Sequence, residues 1–263
     1  MEKAIISLSF DDGRGDNLDI FNNVLIPNSI PATINITTGY VDETCPAHLS
    51  PSPKKAIAKS DVIALAQNPL VEVAMHGDCH LNTVEDIAAG REKLIRWLGL
   101  AESSALGFAS PGSGLSPERF IQSNDLLFTQ QITYLRTSLR IEHIRWIRIL
   151  CRKIGRIFHI PFLYRIAYAD TLMRECKDRV IYSIPVMKDT TFAQIKAMID
   201  LAVSRHCALT LMFHSILENT ENEDNWSWQQ QNFEKLCTYL KKKTDQDKLF
   251  VMTTRELYRT LQE

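Results

Sequence analysis

The chain has 263 residues, 45% hydrophobic and 23% charged, with 30 Lys/Arg against 31 Asp/Glu and a formal net charge of -1. A chain of this length buries about three-quarters of the surface its unfolded form exposes, so it needs no disulfide or metal merely to fold. Ten Gly and ten Pro exclude collagen-like or low-complexity sequence, the near-zero charge argues against nucleic acid as a partner, and no apolar run approaches the ~18 residues of a membrane-spanning helix.

Residues 4–10, Ala-Ile-Ile-Ser-Leu-Ser-Phe, read as a buried strand. This run is too short for a signal-peptide core and leads straight into Asp11-Asp12-Gly13, so no export signal is expected. Residues 16–25 read as a helix with Leu18, Phe21 and Leu25 inward, and residues 31–37 as a second strand, followed by a loop with Pro46, Pro51 and Pro53. Ser60 is expected to cap a helix through Ala66, and residues 71–74 form a third strand. Thr83 caps Val84–Leu98, where Glu85 and Asp86 set acids against the positive end of the helix dipole. A fourth strand spans Leu106–Ala109; later, strands at 209–213 and 249–252 flank a helix at 228–242. Such alternation implies an α/β protein with parallel strands and helices outside, as a barrel or an open sheet, in one domain over residues 1–263.

The alternation lapses in the middle. From Arg136 to Arg165 there are eight Lys/Arg and one acid, Glu142. On a helical wheel Ile144, Ile147, Cys151, Ile154 and Phe158 share one face and Arg145, Arg148, Arg152 and Arg156 another, with Gly155 and Pro161 limiting the helix. A basic amphipathic helix near 140–158 is therefore expected inside a helical insertion at about 116–180. Its basic face is either solvated or a weak peripheral membrane contact, each Lys/Arg near an anionic surface contributing about 1 kcal/mol. Arg136 and Arg140 are candidate contacts for a charged sugar. The cysteines (Cys45, Cys79, Cys151, Cys176, Cys207, Cys237) show no close pair and no C-x-x-C, which suggests neither a disulfide frame nor a zinc ribbon. Together with the absent export signal this points to a reducing, cytoplasmic setting, including the inner face of the membrane.

Four strand ends carry polar residues suited to chemistry. Asp11 and Asp12 follow the first strand, where two carboxylates can divide metal binding and proton handling, or simply form a turn that caps the next helix. His76-Gly77-Asp78-Cys79-His80 follows the third strand; two histidines four apart can present both imidazoles to one ion, with Asp12 completing the set, or be ordinary polar residues. Ser110-Pro111-Gly112-Ser113-Gly114 follows the fourth, where glycines allow backbone N–H groups to face an oxyanion, or make a plain turn. His214 ends an apolar strand, as a general acid or a structural histidine. Beyond it, Trp226 is placed to stack on a sugar, whereas Trp228 is expected under the last helix.

Taken together and in order, Ser9-Phe10-Asp11-Asp12-Gly13, His76 through His80, and Leu211 through His214 resemble the motifs of the NodB-like polysaccharide deacetylases, carbohydrate esterase family four. The resemblance covers roughly residues 4–114 and 206–258. It implies a distorted, incomplete (β/α) barrel in which Asp12, His76 and His80 hold a divalent metal, zinc first, with cobalt, nickel or manganese as alternatives. It further implies that Asp11 is the general base for the hydrolytic water, that Gly112, after Pro111, helps bind the oxyanion, and that His214 protonates the leaving amine. The implied reaction removes an N-acetyl group from an amino sugar or glycan, free or lipid-linked, releasing acetate.

Three positions depart from the family. The third motif usually opens with an arginine that pairs with the base, and here Ala109 or Ser110 stands there. Gly77 replaces a small hydroxyl residue, and the family's fourth motif, whose acid steers the last histidine, has no clear match, Asp189 being one candidate. Two other readings stay open: a metal-dependent amidohydrolase acting on another C–N amide, and a catalytically weakened glycan-binding homologue, which Ala109 favours.

Overall fold

Ala4–Phe10 is buried at every position, as a strand covered on both faces of a parallel sheet must be. The structure, a computed structural model, describes residues 2–45, 55–139, 146–176, 178–221 and 223–263. This strand, β1, is followed by β2 (Ala32–Ile36), β3 (Val71–Met75), β4 (Leu106–Ala109), β5 (Ile132–Ser138), β6 (Val180–Pro185) and β7 (Ala208–Phe213). Neighbours pair in that order, all parallel, and β7 pairs back onto β1 from Ile5↔Ala208 to Phe10↔Phe213, so seven strands close a ring. The other edge of β1 is shared. β2 meets only Ser9 and Phe10, while a further parallel strand, β10 (Leu249–Val251), takes Ala4, Ile5 and Ile6. That wedge and the single register pair Met75↔Phe108 between β3 and β4 distort the barrel, in line with the expected NodB-type architecture.

Helices fill the outside: α1 (Asn17–Ile20), running on into a π turn, α2 (Thr38–Val41), α3 (Lys59–Ala66), α4 (Val84–Leu98), α5 (Pro117–Gln122), α6 (Trp146–Ile157), α7 (Pro161–Tyr168), α8 (Phe192–Arg205), α9 (Gln230–Asp245) and α10 (Thr254–Thr260). Thr83 caps α4 by accepting from the Asp86 amide, and the helix stops at Gly99, whose φ of 62° suits a residue without Cβ. Ser60 does not cap α3; the helix begins two residues earlier than such a cap sets, at Lys59, with Ala58 at its cap position. The last long helix starts at Gln230 because Ser227–Gln229 forms β9 and pairs with β8 (Ser215–Leu217). Within β9, Trp228 is buried, its Nε1 donating to the Thr190 carbonyl at 2.7 Å.

Two expectations are corrected. The insertion at about 116–180 contracts to α6 and α7, because β5 within that range is a barrel strand. Its Ile-Thr-Tyr-Leu-Arg-Thr-Ser sequence is β-prone, and Arg136 is buried there rather than solvated. Arg140, Glu142, Ile144 and Arg145, and the loop with Pro46, Pro51 and Pro53, lie outside the described residues. The second correction is that Cys45 and Cys79 form a disulfide, leaving Cys151, Cys176, Cys207 and Cys237 free. The bridge ties the chain after α2 to the loop after β3 and removes the support that unpaired cysteines lent to a reducing compartment.

Candidate active site

Parallel strands deliver their carboxyl ends to one face of the barrel, and there the polar residues meet. The Asp11 amide donates to the Phe213 carbonyl at 2.9 Å, locking the end of β1 to β7. The next residue, Asp12, takes a φ of 72°, a left-handed conformation costly for a non-glycine residue and concentrated at functional sites. The turn aims Asp12 Oδ1 at two imidazoles: His76 Nε2 and His80 Nε2 each lie 3.4 Å away. The three donor atoms fall within 4.8 Å of one another, a spacing one ion can span.

Two observations show that the residues fit a metal. His76 Nδ1 donates to the Ala109 carbonyl at 2.8 Å, which fixes the tautomer with Nε2 lone pair outward, and that buried Nε2 has no hydrogen-bond partner. The second Asp12 oxygen is held by Arg14 Nε at 2.9 Å, and Arg14 Nη1 reaches Ser215 Oγ at 3.0 Å. Burial would raise the Asp12 carboxyl, but His214, His76 and His80 outweigh it and hold it well below the usual carboxylate range. Burial would likewise lower His76; Asp11 and Asp12 reverse that and raise it.

Asp86, in the first turn of α4, shapes the histidine loop. Its carboxylate accepts from the amides of Asp78 (3.1 Å), Cys79 (2.7 Å) and Leu81 (2.9 Å). Gly77 takes a φ of 79°, and a Cβ there would overlap Asp86 Oδ2, so glycine is required where the resembled family carries a hydroxyl residue. His80, at a φ of 61°, then turns back towards Asp12.

Asp11 has the arginine that Ala109 and Ser110 lack. Arg136, on β5, donates through Nη2 to Asp11 Oδ1, both side chains being almost wholly buried, and so pairs with this carboxylate rather than standing free for a charged sugar. Asn35 Nδ2 donates to the same oxygen at 2.8 Å. Burial would raise the Asp11 carboxyl; Arg136, then His76 and His214, overcome it and leave it lowered, hence ionised. Neither Arg136 nor Asn35 was legible as a partner of Asp11, since each sits on a strand remote in sequence.

Beside Asp12 and the two histidines, Ser110 Oγ donates to Asn82 Oδ1 at 2.7 Å, and Asn82 Nδ2 returns to the Pro111 carbonyl at 2.9 Å. Pro111 is buried in this arrangement, and Gly112 has a φ of 53° with nothing within 4 Å of the place a Cβ would take. The Gly112 backbone thus borders open space. His214, at the end of β7, lies 4.6 Å from the Trp226 ring, centroid to centroid, and its Nδ1 has no partner among the described residues. Burial pushes the imidazole below its ordinary value against the pull of Asp12 and Asp11. Asp189 does not steer it: that carboxylate is held by Arg156 Nε (3.1 Å) and Nη2 (2.8 Å).

No family model matches the chain, and no curated protein matches it. Among solved structures, a protein from Mycobacterium smegmatis assigned as a polysaccharide deacetylase superposes with a TM-score of 0.51 at 12% identity, over 99% of this chain and 91% of that one. The fold is that of the polysaccharide deacetylases. A family 4 acetyl xylan esterase from Clostridium thermocellum, solved with a cobalt ion, is 13% identical with a TM-score of 0.48 over 97% of this chain and 91% of that one. A polysaccharide deacetylase from Bacillus cereus is 18% identical with a TM-score of 0.38; 49% of this chain matches, spanning 39% of that one. The deacetylase fold places Asp11, Asp12, His76, His80, Gly112 and His214 around one barrel mouth, with Trp226 at its rim.

Proposed function

We propose that the protein is a metal-dependent hydrolase that removes an N-acetyl group from an amino sugar or glycan, releasing acetate. The observation that carries this reading is the juxtaposition of an Asp12–His76–His80 donor set with an arginine-paired carboxylate, Asp11, at the same strand ends. The solved polysaccharide deacetylases of this fold support a glycan as substrate. Zinc is the ion of choice for one carboxylate and two imidazoles, with cobalt, nickel and manganese as substitutes.

Bound there, a divalent ion supplies Lewis-acid polarisation of the acyl carbonyl and makes water a better nucleophile at neutral pH. The chain does the rest. Ionised Asp11 accepts a proton from the attacking water, and Arg136 and Asn35 hold its carboxylate in place. The Gly112 N–H, in the turn after Pro111, is assigned the carbonyl oxygen as it gains negative charge. His214 passes a proton to the departing amine, so that it leaves neutral, and Trp226 offers its ring to the sugar face. Ala109 favoured a non-catalytic glycan-binding homologue; with Arg136 beside Asp11 that reason lapses.

Acetate release from N-acetylated mono- and oligosaccharides, with and without a chelator, tests the reading. Release that the chelator stops and Asp11→Asn abolishes is expected; metal-loaded protein that frees no acetate from any N-acetyl sugar would refute it.

A further inference from the structure

α6 is amphipathic but mounted with its polar edge inward. Arg148 pairs with Asp170, Arg156 with Asp189, and the Gly155 carbonyl accepts from Gln194 Nε2 at 2.7 Å. Gly155 also faces α7 so closely that an added Cβ would lie 3.1 Å from Leu163 Cβ. These contacts fix the roll of the helix. At about 100° per residue, the opposite side carries Trp146, Leu150 and Ile157, flanked by Ile147 and Phe158. Trp146 is 75% exposed, Ile157 70%, Phe158 68%, and Phe162 at the start of α7 64%. A helix on a globular protein normally turns its apolar stripe to the core, and a contiguous exposed patch of this kind marks an interaction surface.

Charge identifies the occupant. From Trp146 to Tyr168 there are five Lys/Arg and no acid, in a chain whose formal net charge is -1. Lys153 projects from the apolar face itself, and Arg165 and Arg205 line a groove of about 280 Å³ beside Phe162. Among the described residues no carboxylate pairs with Lys153, Arg165 or Arg205. A second copy on a two-fold axis would set these cations against themselves. Apolar side chains interleaved with unpaired cations suit an anionic lipid surface. No helix among the described residues is long and apolar enough to cross a membrane, so such a contact lies on the surface.

The patch runs along the flank of the barrel, from Arg205, just before β7 begins at Ala208, to the loops at the strand carboxyl ends. Its far end rests on Asp189, in the loop beyond β6; in that loop the Lys188 amide donates to the Asn225 carbonyl at 2.9 Å, next to Trp226 over His214. We propose that α6 and the start of α7 dock on an anionic lipid bilayer. Trp146, Leu150, Ile157, Phe158 and Phe162 enter the headgroup boundary and Lys153, Arg165 and Arg205 meet headgroup phosphates. Docking stands independently of the proposed reaction.

The test is sedimentation of the full chain with vesicles of phosphatidylcholine alone or mixed with phosphatidylglycerol, at low and high salt. Binding to the mixed vesicles that falls as salt rises is expected. The double change Leu150→Glu with Ile157→Glu should weaken it about ten-fold or more while leaving Tm and hydrolysis of soluble substrate unchanged. Absence of binding at low salt, or equal binding by the double variant, would overturn docking. So would a dimer in ultracentrifugation that the same variant dissolves, which assigns the face to a second copy. Vesicle binding without acetate release from any sugar would uphold docking and sink the proposed reaction instead.

Discussion

The Arg136 guanidinium donates to Asp11 Oδ1 across 125 residues of sequence, joining β5 to the end of β1 in the barrel interior. The Asp11 carboxylate is thereby kept ionised although it is buried.

Arg136→Met leaves that buried carboxylate unpaired. Breaking a buried pair from one side costs about 3–5 kcal/mol, and the lost cation lets burial raise Asp11. Activity should fall and its acid limb move up, with Arg136→Lys recovering part of both. The native Asp11 value lies below the ordinary 3.8, so the stability it contributes is present above that pH and lost as pH falls through the native value. The Tm gap between wild type and Arg136→Met should therefore close below about pH 4. A gap that stays constant down to acid pH would show that the pair contributes through packing alone.

The metal set predicts its own pH dependence. Burial lowers His76, but Asp11 and Asp12 leave it raised, so binding must displace a proton. Affinity for zinc, measured by competition with a chelating dye, should rise with pH through the histidine range. His76→Ala should lose binding more completely than His80→Ala, because the Ala109 carbonyl orients His76 while His80 is partly exposed. Undiminished zinc content in His76→Ala would remove Asp12–His76–His80 as the site.

What the sequence disclosed was the part written in contiguous residues. Asp11-Asp12 and His76 through His80 each lie within five positions, and the strands that present them have unbroken apolar runs. Arg136 was hidden because a cation among Arg and Lys reads as solvated, and only barrel closure faces β5 with β1. Asn35 was hidden because residue spacing does not show that β2 lies directly beside β1, which sets Asn35 next to Asp11. Cys45 and Cys79 stand 34 residues apart and meet because β2 and β3 are neighbours, a pairing that spacing does not reveal.

The Cys45–Cys79 bridge gives a count that is simple to check. Denatured but unreduced protein should show four reactive thiols, and reduced protein six. For a loop of this span the chain-entropy model gives about 3–4 kcal/mol of stabilisation, so Cys45→Ala should lower Tm measurably. Because Cys79 adjoins His80, the same change should weaken zinc binding while Asp86 still holds the Cys79 amide and keeps the loop assembled. Six thiols without reductant would exclude the bridge.

Trp226 covers His214, and burial is the largest cause of that imidazole's lowered pKa. A general acid must be protonated to act, so the alkaline limb of kcat/KM should lie below the ordinary histidine value of 6.5. Trp226→Ala admits water to the ring, which relieves the burial penalty and moves that limb upward towards 6.5. The acid limb, set by Asp11 and its partner Arg136, should not move. If the indole also stacks on the sugar, KM rises about 2- to 10-fold, the range of aromatic contact energies. His214→Gln should remove the alkaline limb and lower kcat about 10²- to 10⁴-fold with zinc content intact. An alkaline limb that survives in His214→Gln would assign proton delivery to another group.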